Sequence, residues 1–230
     1  ATAASQLVGG VIPLIYFSRP NSSLLRLGRT RFDGRALARV CSNGSSELMS
    51  SISASVVSML FNAQLLRYAG EDGVAAYGVL MYVSLVFAAV FIGYSVGVAP
   101  VVGYHYGAQN HAELRGLRRR SLGVVAVFSA AMFAAALPLA RPLSPLFVGY
   151  DQELLALTIR AFSIFAFSFL FSGFAIFGSS FFTALNNGLV SAAISFLRTL
   201  VFQAAAVLVF PLVWEVDGIW LSIVAAEALA

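Results

Sequence analysis

The chain has 230 residues, 60% of them hydrophobic and 10% charged, with a mean hydropathy of +0.88; an ordinary soluble domain runs at about 45–50% apolar and about 25% charged. This is the composition of a membrane protein, long enough for roughly seven spans of about 20 residues and too short to hold a separate soluble domain as well. The net charge of +4 comes from 14 basic residues, every one an arginine, clustered in two stretches that report membrane orientation, not affinity for nucleic acid, and the lone Cys41 excludes an internal disulfide or a multi-cysteine metal cluster.

The first apolar stretch, residues 1–17, is short for a span and is followed by Arg19, Arg26, Arg29, Arg31, Arg35 and Arg39. Arginines after the apolar run are a stop-transfer pattern, whereas a secretory signal peptide carries them before it. We expect the end of a preceding helix, then an Arg-rich cytoplasmic connection over 18–44. Further apolar stretches fall near 45–66, 74–97, 121–140, 156–184 and 189–212, with a last one from 218 to 230 that stops short. Hydrocarbon cannot satisfy backbone groups and these stretches are too long for barrel strands, so the expected fold is all-α: one six-helix lobe over 45–230. Arg115, Arg118, Arg119 and Arg120 mark a second cytoplasmic connection. Glu71 with Asp72, Asp151 with Glu153, and Glu215 with Asp217 then mark external ones, and the Asn186-Asn187-Gly188 turn is internal.

Within 45–66, Glu47, Ser51, Ser55, Ser58 and Asn62 recur every three or four residues and so share one helix stripe, opposite a face that includes Met49, Val56 and Leu60. The serines suit either close helix packing or a polar pathway. Glu47 suits either a helix N-terminus, where a carboxylate meets the positive end of the dipole, or a role in gating or ion traffic. Asn62 lies deeper, and its amide requires a cavity or a facing helix.

Residues 74–107 are too long for one straight span, and Pro100 between Gly97 and Gly103 predicts a break near the cytoplasmic end. His105 and His111 have no cysteine or carboxylate companion at ligand spacing, so no metal site is expected. The chain carries no nucleophile elbow, zinc-protease motif or P-loop, which argues against an enzyme. Two charges remain inside the last spans. Arg198 lies ten residues past Gly188 and Glu227 ten past Asp217. At about 1.5 Å per residue each is about 15 Å into a core about 30 Å thick. Helices that follow one another are natural neighbours, so a midplane pair or network of Arg198, Glu227 and Gln203 is expected.

The run GVAPVVGYHYGAQN, which carries Gly97, Pro100, Gly107, Ala108 and Asn110 before a basic stretch, resembles the signature after the eighth helix of the multidrug and toxic compound extrusion (MATE) transporters. NGSSELMSSIS at 43–53 with LLRYAGEDGVAAYG at 65–78, TALNNGLVSAAISFLRTL at 183–200 and DGIWLSIVAAEAL at 217–229 resemble the same family in the same order. The resemblance implies the end of the sixth helix and the seventh to twelfth, the C-terminal lobe of a two-lobe transporter in a prokaryotic plasma membrane. It implies export of organic, cationic compounds in exchange for Na⁺ or H⁺ by alternating access, with no cofactor and with the lipid bilayer and an N-terminal lobe as partners. Some members place acidic residues where this chain has Ser53 and Ser172, so the main coupling carboxylate is expected in the N-terminal lobe. Within the superfamily the alternative is a lipid-linked oligosaccharide flippase, which would line its cavity with arginines; outside it, a non-transporting assembly subunit.

Because Cys41 follows six arginines and precedes the second apolar stretch, it is expected at the cytoplasmic surface. An impermeant maleimide should label it in inside-out vesicles and not in intact cells; the reverse pattern would invert every span.

Overall fold

The computed structural model describes residues 2–19 and 32–230, and among these every regular element is helical. The chain comprises two compact units, Ala1–Ala38 and Arg39–Ala230. The first holds α1, Thr2–Ser18. The connection expected over 18–44 becomes helical at Gly34, where α2 (Gly34–Gly107) begins; the Asp33 carboxylate accepts from the Arg35 and Ala36 amides and so replaces the partners that a first turn lacks. Arg26, Arg29 and Arg31 lie outside the described residues.

Alpha-helix α2 is two arms. Gly70 alone leaves helical dihedrals, at φ 65° and ψ −154°, a region open only to glycine. The Phe61 and Tyr77 rings stack with centroids 5.5 Å apart, whereas 16 residues of unbroken helix would separate them by about 24 Å. The arms are therefore antiparallel, and the turn falls one residue before the acidic pair Glu71-Asp72. The second arm keeps helical dihedrals through Pro100 to Gly107, so the expected break there does not occur. Proline forfeits one backbone hydrogen bond, and Pro100 is exposed, where its ring meets no packed neighbour.

The chain then passes through α3 (His111–Val148) to α4 (Gln152–Phe165), one turn of 3₁₀-helix (Ala166–Ser168) and α5 (Phe169–Ala184), which together make one span. Next come α6 (Gly188–Ser195), a π-helical stretch (Phe196–Phe202), α7 (Gln203–Val209) and α8 (Pro211–Leu229). In α8 the chain reverses at Glu215, at φ 49°, within the turn expected at Glu215 and Asp217. By length and composition four stretches of the described residues can cross a membrane: Ser51–Gly107, which contains both arms of α2, His111–Val148, Gln152–Ala184 and Gly188–Val209.

Two turns are built alike. The Gln109 amide bonds to the Tyr106 carbonyl and the Asn110 amide to that of His105; the Asn186 amide bonds to Thr183 and the Asn187 amide to Phe182. These are Schellman closures with a left-handed residue, Gln109 or Asn186, after the helix end. The asparagine that follows caps the next helix: Asn110 accepts from the Glu113 amide at 3.2 Å and Asn187 from the Val190 amide at 3.3 Å. A Cβ on Gly103 would lie 3.8 Å from the Ala184 carbonyl, which puts both turns at the same end of the bundle. At the far end Asp151 caps α4, and Arg160 donates to Asp217.

The core between these ends is aliphatic and aromatic, with Phe61, Leu65, Leu80, Phe162 and Trp220 fully buried. It is closed where α5 meets the second arm of α2, because Gly173 leaves room for the Phe91 ring; a methyl there would come within 2.5 Å of Phe91 Cε1. Gly173→Ala should therefore cost about 1–3 kcal/mol by overpacking, and Gly70→Ala a similar amount by backbone strain. Gly93→Ala, whose methyl meets nothing within 4 Å, should be neutral. Thermal unfolding of the three variants in detergent checks the ranking.

Candidate functional site

A cavity of about 350 Å³ lies within the bundle, at the level where the helical ladder is irregular on two sides. One side is the overwound 3₁₀ turn, whose Ser168 lines the cavity together with Phe165 and Phe169; the other is the underwound π segment, which contributes Arg198 and Thr199. Such departures inside spanning helices recur at functional sites, because backbone groups that leave the regular ladder need partners or a cavity beside them. The first arm of α2 supplies Ser58 and Phe61, the second arm Tyr77 and Met81, and Ser172, Gln203, Ile223 and Glu227 complete most of the wall.

The strongest interaction in this wall is between its two charges. Arg198 donates twice to Glu227, from Nε to Oε2 and from Nη2 to Oε1, both at 2.9 Å. The planar guanidinium and the carboxylate thus meet fork to fork, the strongest geometry open to this pair. The side chains are 21% and 7% exposed respectively, so the carboxylate is the more deeply buried of the two, and both residues border the cavity. No hydrogen bond joins Gln203 to either partner, although it lines the same space.

The polar stripe of the first arm is divided. Ser58 lines the cavity. Asn62 does not: it borders a separate depression with Leu66, Glu71 and Val74. Ser51 and Ser55 are exposed, and the Ser55 hydroxyl donates to the Ser51 carbonyl at 3.0 Å, which satisfies it without another helix. The buried face runs through Ser53, Val57, Phe61 and Leu65, while Val56 is exposed and Leu60 and Met49 are half-buried. The face opposite the stripe is therefore not uniformly the packed one. The Glu47 backbone belongs to α2; its side chain lies outside the described residues. Of the signature residues, Gly107, Ala108 and Asn110 build the first Schellman turn and its cap, and Gly97 and Pro100 lie on the exposed face of the second arm. None of these lines the cavity. Among the described residues no group of three or more His, Cys, Asp or Glu side chains could hold a metal ion.

One cluster escapes a reading by hydropathy. Ser179, Thr183, Ser191 and Ser195 bond to one another across α5 and α6, with Ser179–Ser191 at 2.8 Å, Ser179–Ser195 at 3.1 Å and Thr183 donating to Ser191 at 2.7 Å. Its signal is four-residue spacing of hydroxyls on both sides of the Asn186-Asn187 turn, which places all four on facing stripes.

The MatE family model matches residues 48–210. An outward-facing multidrug resistance MATE family transporter of the MOP superfamily superposes with a TM-score of 0.88 at 19% identity, over 98% of this chain and 51% of that one. A MOP superfamily transporter from Pyrococcus furiosus gives 0.90 at 18% identity, over 98% and 51%, and the bent form of the Vibrio cholerae MATE transporter VcmN gives 0.79 at 19%, over 86% and 45%. The chain thus spans about half the length of the solved structures it resembles. No curated protein matches it.

Removing either partner of the clasp should not cost the same. Arg198→Leu leaves a shielded carboxylate without its partner or forces its protonation, whereas Glu227→Gln keeps an acceptor for the guanidinium. Breaking a buried pair costs about 3–5 kcal/mol. The yield of monodisperse protein on fluorescence-detected gel filtration should fall further for Arg198→Leu than for Glu227→Gln.

Proposed function

This chain belongs to the MatE family, whose members are transporters, and from that premise we propose that residues 45–230 form one lobe of a secondary active antiporter that exports organic compounds. The cavity bordered by Arg198 and Glu227 carries the reading: it is mid-bundle, part aromatic and part polar, and bordered by irregular turns of two spans. Compounds with an apolar body and a cationic group are the expected cargo, and a Na⁺ or H⁺ gradient supplies the free energy, so no cofactor is required.

Alternating access needs two bodies that rock about a shared site. The partner we propose is a second, N-terminal lobe of the same protein, which would also hold the main coupling carboxylate. The exposed edge of the first arm, with Ser51 and Ser55, is the surface we assign to face it. The Arg-rich turns face the cytoplasm of a prokaryotic cell and the acidic turns the outside. The flippase alternative calls for a cavity lined by several arginines, and of the described arginines only Arg198 borders this cavity, with its charge met by Glu227.

The test is transport in proteoliposomes. The two-lobe protein should drive ethidium across the bilayer only when a Na⁺ or H⁺ gradient is imposed. Residues 1–230 alone should be inactive, since they lack the opposing wall of the pathway. Gradient-driven transport by residues 1–230 alone would overturn the two-lobe reading, and transport without any ion gradient would overturn the antiporter.

A further inference from the structure

We propose that the cavity of this lobe holds an acid-recognition subsite, so that the exported compound carries a carboxylate or equivalent anionic group, docked on Arg198, in addition to its apolar body and its cationic group. This rests on the transporter reading above and names a chemical class for the same site. The juxtaposition that carries it is a guanidinium with spare donors facing a cavity whose only carboxylate is already occupied.

A guanidinium has five N–H donors in a fixed plane. Two, on Nε and Nη2, are taken by Glu227. No other hydrogen bond is made by Arg198 among the described residues, so Nη1 is left without a protein partner. Both Glu227 oxygens are engaged, and its side chain is three times less exposed than that of Arg198, 7% against 21%. A cationic part of the same compound can still approach the remaining lone pairs of the Glu227 carboxylate, which borders the cavity as well. An anionic group can bind the outer edge of the guanidinium with the clasp intact. Thr199, one residue on, and Ser172 on the facing helix border the same space with hydroxyls that can donate to such a group. The Phe61–Tyr77 stack on the other side of the cavity offers its apolar body an aromatic wall.

Glu227 then has a second part. It holds the guanidinium in one orientation, and it competes with the ligand's own carboxylate for it. Binding should therefore depend on the two residues in opposite senses. Loss of Arg198 removes the subsite, whereas Glu227→Gln removes the competing charge, leaves the guanidinium one acceptor in place of two and strengthens it.

The experiment is equilibrium binding to the purified two-lobe protein, read by fluorescence polarisation, with two dyes that differ at one group. Rhodamine B has a free carboxylate, and rhodamine B ethyl ester is the same fluorophore with that carboxylate esterified. The free acid should bind about tenfold more tightly, the scale of one charge-assisted hydrogen-bonded contact. Arg198→Gln should bring the ratio close to one, Arg198→Lys should keep part of it, and Glu227→Gln should raise it. The lysine variant separates lost recognition from lost folding, because a merely structural arginine gives no reason for a preference between acid and ester to return with charge. An ester that binds as tightly as the acid, an acid preference that survives Arg198→Gln, a fall in the ratio with Glu227→Gln, or no binding of either dye would each overturn the subsite. Transport of ethidium in any of these cases leaves the transporter reading standing, and acid preference without transport leaves the subsite standing and removes the transporter.

Discussion

Hydrocarbon offers nothing to a stray donor, acceptor or charge, and in this chain the heaviest consequence of that rule falls on Arg198. An arginine at the centre of a spanning helix costs about 2.5–3.5 kcal/mol on insertion scales. The position of the last helix answers it: α8 packs against the π segment and α7 so that Glu227 meets the guanidinium twice at 2.9 Å. The cavity borders this pair because the segment around Arg198 is wound too loosely to fill the bundle. Charge, irregular winding and empty space thus share one level of the lobe.

The same rule governs the ends. Each reversal must close the last turn of one helix and open the first of the next within a few residues, and the chain meets the need twice with one device, a left-handed residue followed by an asparagine cap. This gives the Gly107-Ala108-Gln109-Asn110 portion of the signature a physical meaning. It is a tight way to turn one spanning helix into the next. Gln109 and Asn186 are not glycine, so the left-handed conformation at both sites is sustained by the hydrogen bonds around it.

Much of this was legible in the chain. The acidic residues locate the reversals at Gly70, Gly149-Tyr150 and Glu215 within a residue or two, since charges are excluded from the core wherever the sequence allows, whereas Arg115 lies six residues past Gln109 and the Asn186-Asn187 turn carries no charge. Counting residues from Gly188 and Asp217 puts Arg198 and Glu227 at one depth, and helix geometry makes that count reliable. Pro100 misled because sequence shows the lost hydrogen bond but not the exposed face that tolerates the ring. Asn62 borders a depression of its own, with Leu66 and Glu71, and not the cavity that Ser58 lines, because periodicity assigns a residue to a stripe and cannot tell how far along it a cavity extends. The stripe itself is not uniformly packed: Ser51 and Ser55 are exposed while Ser53, off the stripe, is buried, since in a membrane burial follows size and fit as much as polarity. The π winding at Phe196–Phe202 has no local sequence mark. It depends on neighbours that are distant in the chain.

The clasp also imposes an order on biogenesis. Arg198 and Glu227 are 29 residues apart, so the arginine is synthesised well before the carboxylate that neutralises it, and until α8 arrives the helix that bears it is poorly suited to lipid. Insertion of the last two spans is therefore a joint event, and a chain cut just before Glu227 loses more than a few residues from its end. It keeps a helix that the bilayer has reason to reject, and such an orphaned span is what membrane quality control is positioned to notice.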